Sequence, residues 1–333
     1  MRWLRRIAIG FAILAGLIVL AGVALWIWKP WVPPVEVVEP GPGGRRITDS
    51  GLLANYYPGT GTGRRPALLA LGGSEGGIGT AVDAEARALA SAGFPVLVMS
   101  YFRAPGQPAA LENIPLEGFT RAIDWLAAQP EVDPARLGVI GGSKGAEAGL
   151  LIASRDPRLR AVAVGMPSNV VWQGFDWETF NSDGASWSAG GKPLAFLPIG
   201  RGDWSNARQI DQLYINGLKA LPDHPEAVIP VERIAGPVLL LCGEDDTLWP
   251  SCPMARAVAA RAAEKQGPPV TLLAYKGAGH GVMGLPRTGD TSGLDVMGGS
   301  NQGNNAARID GWPKLVAFLQ QALAAPATAQ PAP

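Results

Sequence analysis

Residues 137–153 read LGVIGGSKGAEAGLLIA: a short apolar run, a glycine-rich bend holding one serine, then a helical pattern of small and apolar residues. The run Leu137 to Ile140 is of strand length and predicts a buried strand, while Lys144 to Ala153 predicts a helix. Between them, Gly141-Gly142-Ser143-Lys144-Gly145 has the form Gly-x-Ser-x-Gly. That pattern describes a sharp strand-to-helix turn whose small neighbours let the backbone bend and expose the serine. Ala146 and Ala148 keep the helix slim beside a sheet, and Ser143 at its N-terminus sits where the helix dipole favours developing negative charge. Taken alone, such a serine can also be an ordinary helix N-cap.

A second copy, Gly72-Gly73-Ser74-Glu75-Gly76, follows the apolar run ALLAL, but more glycine comes after it and the next helical pattern begins several residues later. Ser74 therefore lacks the elbow context, and Ser143 is the better nucleophile. The surrounding chain alternates strands and helices, the signature of a mostly parallel sheet flanked by helices. Strands are expected at Ala67 to Leu71, Pro95 to Met99, Leu137 to Ile140, Ala161 to Val164, Val238 to Leu241 and Val270 to Tyr275. Helices are expected at Val82 to Ala92, Leu116 to Ala128, Lys144 to Ala153, Met254 to Lys265 and Ala306 to Leu323.

A serine hydroxyl needs a general base within hydrogen-bond reach before it can attack a carbonyl. The chain has two histidines. His224 lies in the Pro-flanked segment PDHPE and reads as a surface residue; His280 follows the late strand VTLLAY, with Gly277, Gly279 and Gly281 leaving room for its ring. An acid must fix the imidazole tautomer, and the run LLLCGEDDTLWP offers Glu244, Asp245 and Asp246 just after a strand. Gly-x-x-Asp places Asp246 on the far side of that turn, while Asp245 suits capping of the turn itself. The order Ser, Asp, His is that of the α/β-hydrolase fold. An oxyanion would need two backbone N–H donors: Lys144 supplies one, and the loop Gly72 to Gly77 the other, through Ser74 first and Gly73 next.

From Pro167 to about Ile234 the alternation stops, and Trp172, Phe175, Trp177, Phe180, Trp187, Phe196, Trp204 and Tyr214 gather. An insertion of this size reads as a lid, and Trp172, Phe175 and Trp187 are candidates to line an acyl pocket; the other reading makes these rings the lid's own small core.

The N-terminus carries an uninterrupted apolar run, Ile7 to Trp28, which at ~1.5 Å per residue reaches across the roughly 30 Å of a bilayer core. Arg2, Arg5 and Arg6 precede it and Lys29 follows, so the positive-inside rule keeps the N-terminus cytoplasmic and sends the remainder to the exoplasmic side, periplasmic or extracellular in a bacterium. Trp26, Trp28 and Trp31 would form an interfacial belt. The competing reading is a cleaved signal peptide, with Gly22-Val23-Ala24 as a passable small-residue site. The expected organisation is thus an anchor or signal peptide at 1–29, a Pro/Gly-rich extended spacer at 30–45, a catalytic domain at 46–325 with its lid at about 167–234, and a tail at 326–333.

Composition excludes other classes. Lys plus Arg and Asp plus Glu both number 28, so there is no basic field to attract nucleic acid. Cys242 and Cys252 form no CxxC and have no histidine nearby, which supports no metal site, and no cofactor is called for. On the exoplasmic side the pair is free to form a disulfide; two buried thiols is the alternative.

The segments GGSEGG, APGQPAALENIPLEGFTRAIDWLAAQPEVD, GVIGGSKGAEAGLLIASRDPRLRAV, PSNVVWQG, GEDDTLWPS and GAGH together resemble the C-terminal catalytic domain shared by acyl-CoA thioester hydrolases and bile acid-CoA:amino acid N-acyltransferase. The similarity runs from about Ala67 to Leu323, and the SKGAE and GEDDxxWPS blocks carry most of its specificity. The resemblance implies an α/β-hydrolase fold and thioester hydrolysis by Ser143, Asp246 and His280. Eukaryotic members carry an additional N-terminal β-sandwich, for which the stretch between Trp31 and Arg65 has no room. The expected substrate is a small-molecule acyl thioester; the exoplasmic topology favours instead a carboxylesterase acting on envelope or environmental esters. A non-catalytic membrane-tethered binding protein is a third class, against which the intact Ser, Asp and His set argues.

Overall fold

A computed structural model describes residues 2–179, 182–200 and 210–324. Its centre is an eight-stranded sheet ordered β1-β2-β4-β3-β6-β7-β10-β11. The strands are β1 (Arg45–Ile47), β2 (Leu53–Tyr57), β3 (Arg65–Leu71), β4 (Val96–Ser100), β6 (Val132–Gly142), β7 (Leu159–Gly165), β10 (Val238–Gly243) and β11 (Val270–Tyr275). Pairing from β4 to β11 is parallel, whereas β1 and β2 join antiparallel at one edge. Continuous apolar runs such as VLLLCG in β10 are buried on both faces, as parallel strands covered by helices must be.

The covering helices are α2 (Thr80–Ser91), α3 (Glu117–Ala127), α4 (Lys144–Ala153), α6 (Ser251–Glu264) and α7 (Asn301–Ala322). One apolar core joins α3, α4 and α6 to one face of the sheet through residues such as Phe119, Leu150 and Val258. A second core joins α2 and α7 to the other face through Leu89, Leu315 and Leu319. Strand order reverses direction between β3 and β6: the chain steps outward one way from β3 to β4, and the other way from β6 through β7 and β10 to β11. A crevice opens at the carboxyl ends of the strands at such a switch point, and ligands of open α/β sheets bind there.

The six expected strands and five expected helices all form, with ends moved by a few residues. The antiparallel edge pair β1 and β2 had no legible pattern, because β1 is only three residues, Arg45–Ile47, and β2 carries a polar Asn55 on a buried face. Asn55 is accommodated there by donating to Asp83 Oδ1 (2.7 Å) and to the carbonyl of Val38 (3.1 Å).

Among its described residues, the interval 167–234 adds no strand to the main sheet. It contributes β8 (Trp187–Ala189) and β9 (Lys192–Pro193) to a small sheet with β5 (Ile114–Pro115), together with α5 (Asp211–Leu218). It shares a separate apolar cluster, Val170, Trp172, Leu197 and Ala227, with Trp249 and Met254. Phe180 and Trp204 of this interval, and the tail at 326–333, lie outside the described residues.

The apolar N-terminal run lies within α1 (Arg2–Trp28), which buries no residue against the domain and is long and apolar enough to cross a membrane. The Pro/Gly-rich stretch after it is extended but docked. Val38 N donates to the Ile78 carbonyl (3.0 Å) and Ile78 N to the Glu36 carbonyl (2.8 Å), so this strap follows the loop that succeeds β3. Cys242, in β10, and Cys252, in α6, form a disulfide with their Cα atoms 5.1 Å apart.

Candidate active site

Ser143 occupies the turn between β6 and α4 with φ 56° and ψ −122°, a left-handed backbone that a serine adopts only at a cost of roughly 1–3 kcal/mol. The turn is possible because its neighbours lack side chains: a Cβ on Gly145 would lie 2.4 Å from the Gly72 carbonyl oxygen, and one on Gly141 would lie 2.5 Å from that of Gly145. Ser143 N donates to the Gly165 carbonyl of β7 (3.0 Å), which ties the turn to the next strand. The motif thus brings Ser143 to the switch-point crevice.

His280 follows β11, and Asp246 follows β10. Nδ1 of His280 lies 2.8 Å from Oδ2 of Asp246, and both side chains are buried. A carboxylate only accepts, so Nδ1–H donates to it and the neutral ring keeps its lone pair on Nε2. That Nε2 is buried without a hydrogen-bond partner among the described residues. The other carboxylate oxygen of Asp246 accepts from the N–H groups of Leu248 (3.0 Å) and Trp249 (3.3 Å), so the acid is held by three donors. The His280 loop is fixed by Asn304, whose Oδ1 accepts from Gly279 N (2.8 Å), and the ring packs edge-on to Trp249 at 5.8 Å. Asp245 points outward, and its backbone N–H donates to the Ala278 carbonyl at 2.9 Å. His224 sits between two short turns, Leu221–Asp223 and Pro225–Ala227, away from this site.

Ser143 and His280 border one cavity of about 220 Å³. Its remaining wall includes Gly72, Gly73, Ser74 and Glu75 from the loop after β3, Val82 and Glu85 from α2, and Met166, Leu248, Met283 and Met297. The loop lies close beside the serine, since a Cβ on Gly73 would stand 3.5 Å from that of Ser143. Tyr101 secures it by offering its hydroxyl to the carbonyls of Gly72 (2.7 Å) and Gly73 (3.0 Å), and burial, then the nearby carboxylates of Glu75 and Glu147, keep that phenol protonated. Trp177 Nε1 donates to the Ser74 carbonyl (2.6 Å). Of the two expected donors here, the Gly73 N–H is already engaged by Glu75 Oε1 at 2.8 Å. Lys144 is the first residue of α4, whose leading N–H groups have no acceptor within the helix.

Trp172, Phe175 and Trp187 are not on the wall of this cavity. Trp172 and Trp187 are fully buried, Trp172 against Tyr214 (4.9 Å) and Trp187 against Tyr101 and Phe119 (both 5.8 Å), while Phe175 packs on Trp177 (5.0 Å). The apolar lining comes from several elements, among them Leu71 at the end of β3, Met166 directly behind β7 and Val82 on α2, which only the tertiary fold brings together.

Beneath Ser143 runs a polar network that the reading of Ser, His and Asp left out. Lys144 Nζ donates to Glu147 Oε2 (2.8 Å) and Ser186 Oγ (2.7 Å), and Glu147 Oε1 accepts from Trp187 Nε1 (2.8 Å) and Trp172 N (3.2 Å). Glu147 is 0% exposed and Lys144 5%. Burial pushes Glu147 up and pulls Lys144 down, each opposed by the other's charge. The i, i+3 spacing of Lys144 and Glu147 in SKGAE was the available signal.

Comparison with known proteins agrees with this architecture. The family model described as "BAAT / Acyl-CoA thioester hydrolase C terminal" matches residues 114–325. The chain is 27% identical over 329 residues to acyl-coenzyme A amino acid N-acyltransferase 2 of Rattus norvegicus, covering 90% of this chain and 72% of that protein. It is 26% identical over 303 residues to acyl-coenzyme A thioesterase 5 of Mus musculus, covering 87% of this chain and 68% of the relative. Among solved structures, a puromycin-hydrolyzing peptidase of Mycobacterium tuberculosis superposes with a TM-score of 0.56 at 18% identity, over 87% of this chain and 40% of that one. The family match, the mostly parallel sheet and the elbow at Ser143 lead to one assignment: this chain belongs to the BAAT / acyl-CoA thioester hydrolase C-terminal family and is a hydrolase with the α/β-hydrolase fold.

Proposed function

We propose that the chain is a membrane-anchored serine hydrolase that cleaves acyl thioesters through Ser143, His280 and Asp246. The observation that carries this reading is the 2.8 Å contact between Asp246 and His280 Nδ1, which leaves the buried Nε2 as the free base in the cavity that Ser143 also borders. Nε2 takes the hydroxyl proton as Oγ attacks the acyl carbon; the oxyanion is met by N–H groups of Lys144 and the loop after β3; the imidazolium then protonates the leaving thiolate. Water, deprotonated by the same nitrogen, releases the acid. A serine ester is a weaker acyl donor to amines than a cysteine thioester, so transfer to water dominates over transfer to an amino acid.

A carboxylesterase is the second reading, and the Cys242–Cys252 disulfide favours it. Disulfides persist in oxidising compartments, which agrees with a domain carried outward by an N-in anchor, where coenzyme A thioesters are scarce. The test is a matched series of p-nitrophenyl esters and acyl-CoA thioesters with glycine as competing acceptor. Thioester cleavage without N-acylglycine supports the first reading, preference for simple esters the second, and abundant N-acylglycine overturns hydrolysis. Fluorophosphonate labelling lost only in Ser143→Ala identifies the nucleophile.

A further inference from the structure

The contacts of residues 29–38 bear on how substrate reaches the cavity. Were the stretch 30–45 a free spacer, its extended length would allow the domain to stand roughly 50 Å from the bilayer. Instead it is pinned at once. Lys29, the first residue after α1, pairs with Glu178, and Trp31 Nε1 donates to the Glu178 carbonyl (3.3 Å). Arg103 donates through one guanidinium nitrogen to the Pro33 carbonyl (2.5 Å) and through another to the Glu75 carbonyl (2.7 Å). Glu36 accepts from both the N–H and the hydroxyl of Thr80, each at 3.1 Å. Glu75 is itself on the cavity wall, and Trp177, next to Glu178, holds the carbonyl of Ser74 on the same wall.

Pro33 lies five residue steps beyond Trp28, so the strap reaches Arg103 within about 18 Å of the end of the apolar helix. Against the roughly 50 Å that a free spacer would allow, this limit keeps the cavity rim near the interfacial zone, which is itself roughly 7 Å deep. The wall is largely aliphatic and thioether: Leu71, Val82, Met166, Leu248, Met283 and Met297. Met297 and its neighbour Val296 are exposed although large and apolar.

Resting on the anchored serine hydrolase reading, we propose that the substrate is an amphiphile resident in the membrane, a long-chain acyl ester or thioester that passes from the outer leaflet into the cavity without crossing bulk water. The strap from Lys29 to Val38 holds the rim at the height where such an ester group sits. A water-soluble short-chain ester has no need of that height.

The experiment uses the full chain in phosphatidylcholine/phosphatidylglycerol vesicles, assayed with 4-methylumbelliferyl palmitate in the bilayer and p-nitrophenyl butyrate in the water. A flexible Gly/Ser insert of about 24 residues after Trp28 frees the domain from the bilayer while residues 29–38 stay docked. Turnover of the palmitate ester is expected to fall about tenfold or more, with kcat/KM for butyrate unchanged. A Trp31→Ala/Glu178→Ala variant, which loosens the clamp, moves in the same direction. Equal turnover of both esters with and without the insert overturns this proposal alone. Release of the parent chain by carbonate washing overturns the anchor and the proposal with it, and butyrate hydrolysis at the parent rate by Ser143→Ala overturns the catalytic reading and the proposal together.

Discussion

Asp246 Oδ2 and His280 Nδ1, 34 residues apart in the chain, meet at 2.8 Å because β10 and β11 are neighbours in the sheet and their following turns leave from the same end. The Gly298–Gly299 turn closes over both, with Gly299 N donating to the Asp245 carbonyl (3.1 Å). This contact makes the choice between the two aspartates testable. Asp246→Asn removes the acceptor that sets the ring tautomer, and kcat is expected to fall by about 10³–10⁴, while Asp245→Asn, at an exposed position, changes it less than about twofold. Steady-state kinetics on a soluble ester checks both; equal losses would remove the assignment.

Ser143 holds a left-handed backbone conformation, and this separates the catalytic role proposed for it from its structural contribution. Ser143→Gly is expected to abolish turnover, by on the order of 10⁵, yet raise stability by about 1 kcal/mol because glycine adopts that φ without strain. Ser74→Ala retains its backbone N–H and most of the activity. Urea unfolding and kinetics on the same samples report the two effects independently.

The buried Lys144–Glu147 pair predicts non-additive stability. Lys144→Met leaves a buried carboxylate short of its cation, and Glu147→Gln leaves a buried ammonium without its anion; each is expected to cost about 3–5 kcal/mol. The double variant keeps an amide oxygen for Trp187 and Trp172 while removing both charges, so it recovers most of that loss. A double-mutant cycle by denaturant unfolding measures it, and additive losses would contradict a coupled pair.

Glu85 predicts a pH dependence. Burial pushes its carboxyl up to about 7, against the pull of Arg308 and with the repulsion of Glu75. Raised above its unfolded value of 4.5, this carboxyl contributes nothing adverse while both states are protonated; as pH climbs from about 4.5 through 7 the unfolded chain ionises first and folding loses stability. Glu85→Gln should therefore match the parent near pH 4.5 and exceed it at pH 8 by about 2 kcal/mol, the full shift being discounted because the side chain reaches the solvent of the cavity. Thermal unfolding across that range checks the sign, and a variant no more stable than the parent at pH 8 would refute it.

What the sequence by itself determined is local and periodic. Apolar runs such as Val238 to Leu241 announce strands because a parallel strand is buried on both faces, and the glycines at 141 and 145 announce the elbow because a side chain at either would meet backbone. The family match, at residues 114–325, spans both. The tertiary structure decided everything that depends on which elements become neighbours. Trp172 and Trp187 read equally well as pocket lining or as lid core, since an aromatic ring carries no direction in a sequence; packing against Tyr214, Tyr101 and Phe119 sent both into cores. Arg45–Ile47 became a strand only because Ala54–Tyr56 lay beside it. The Pro/Gly-rich stretch has no periodicity to betray a binding partner, and its docking depends on the Pro33 carbonyl and the Glu36 carboxylate; only the fold brings Arg103 and Thr80 to meet them.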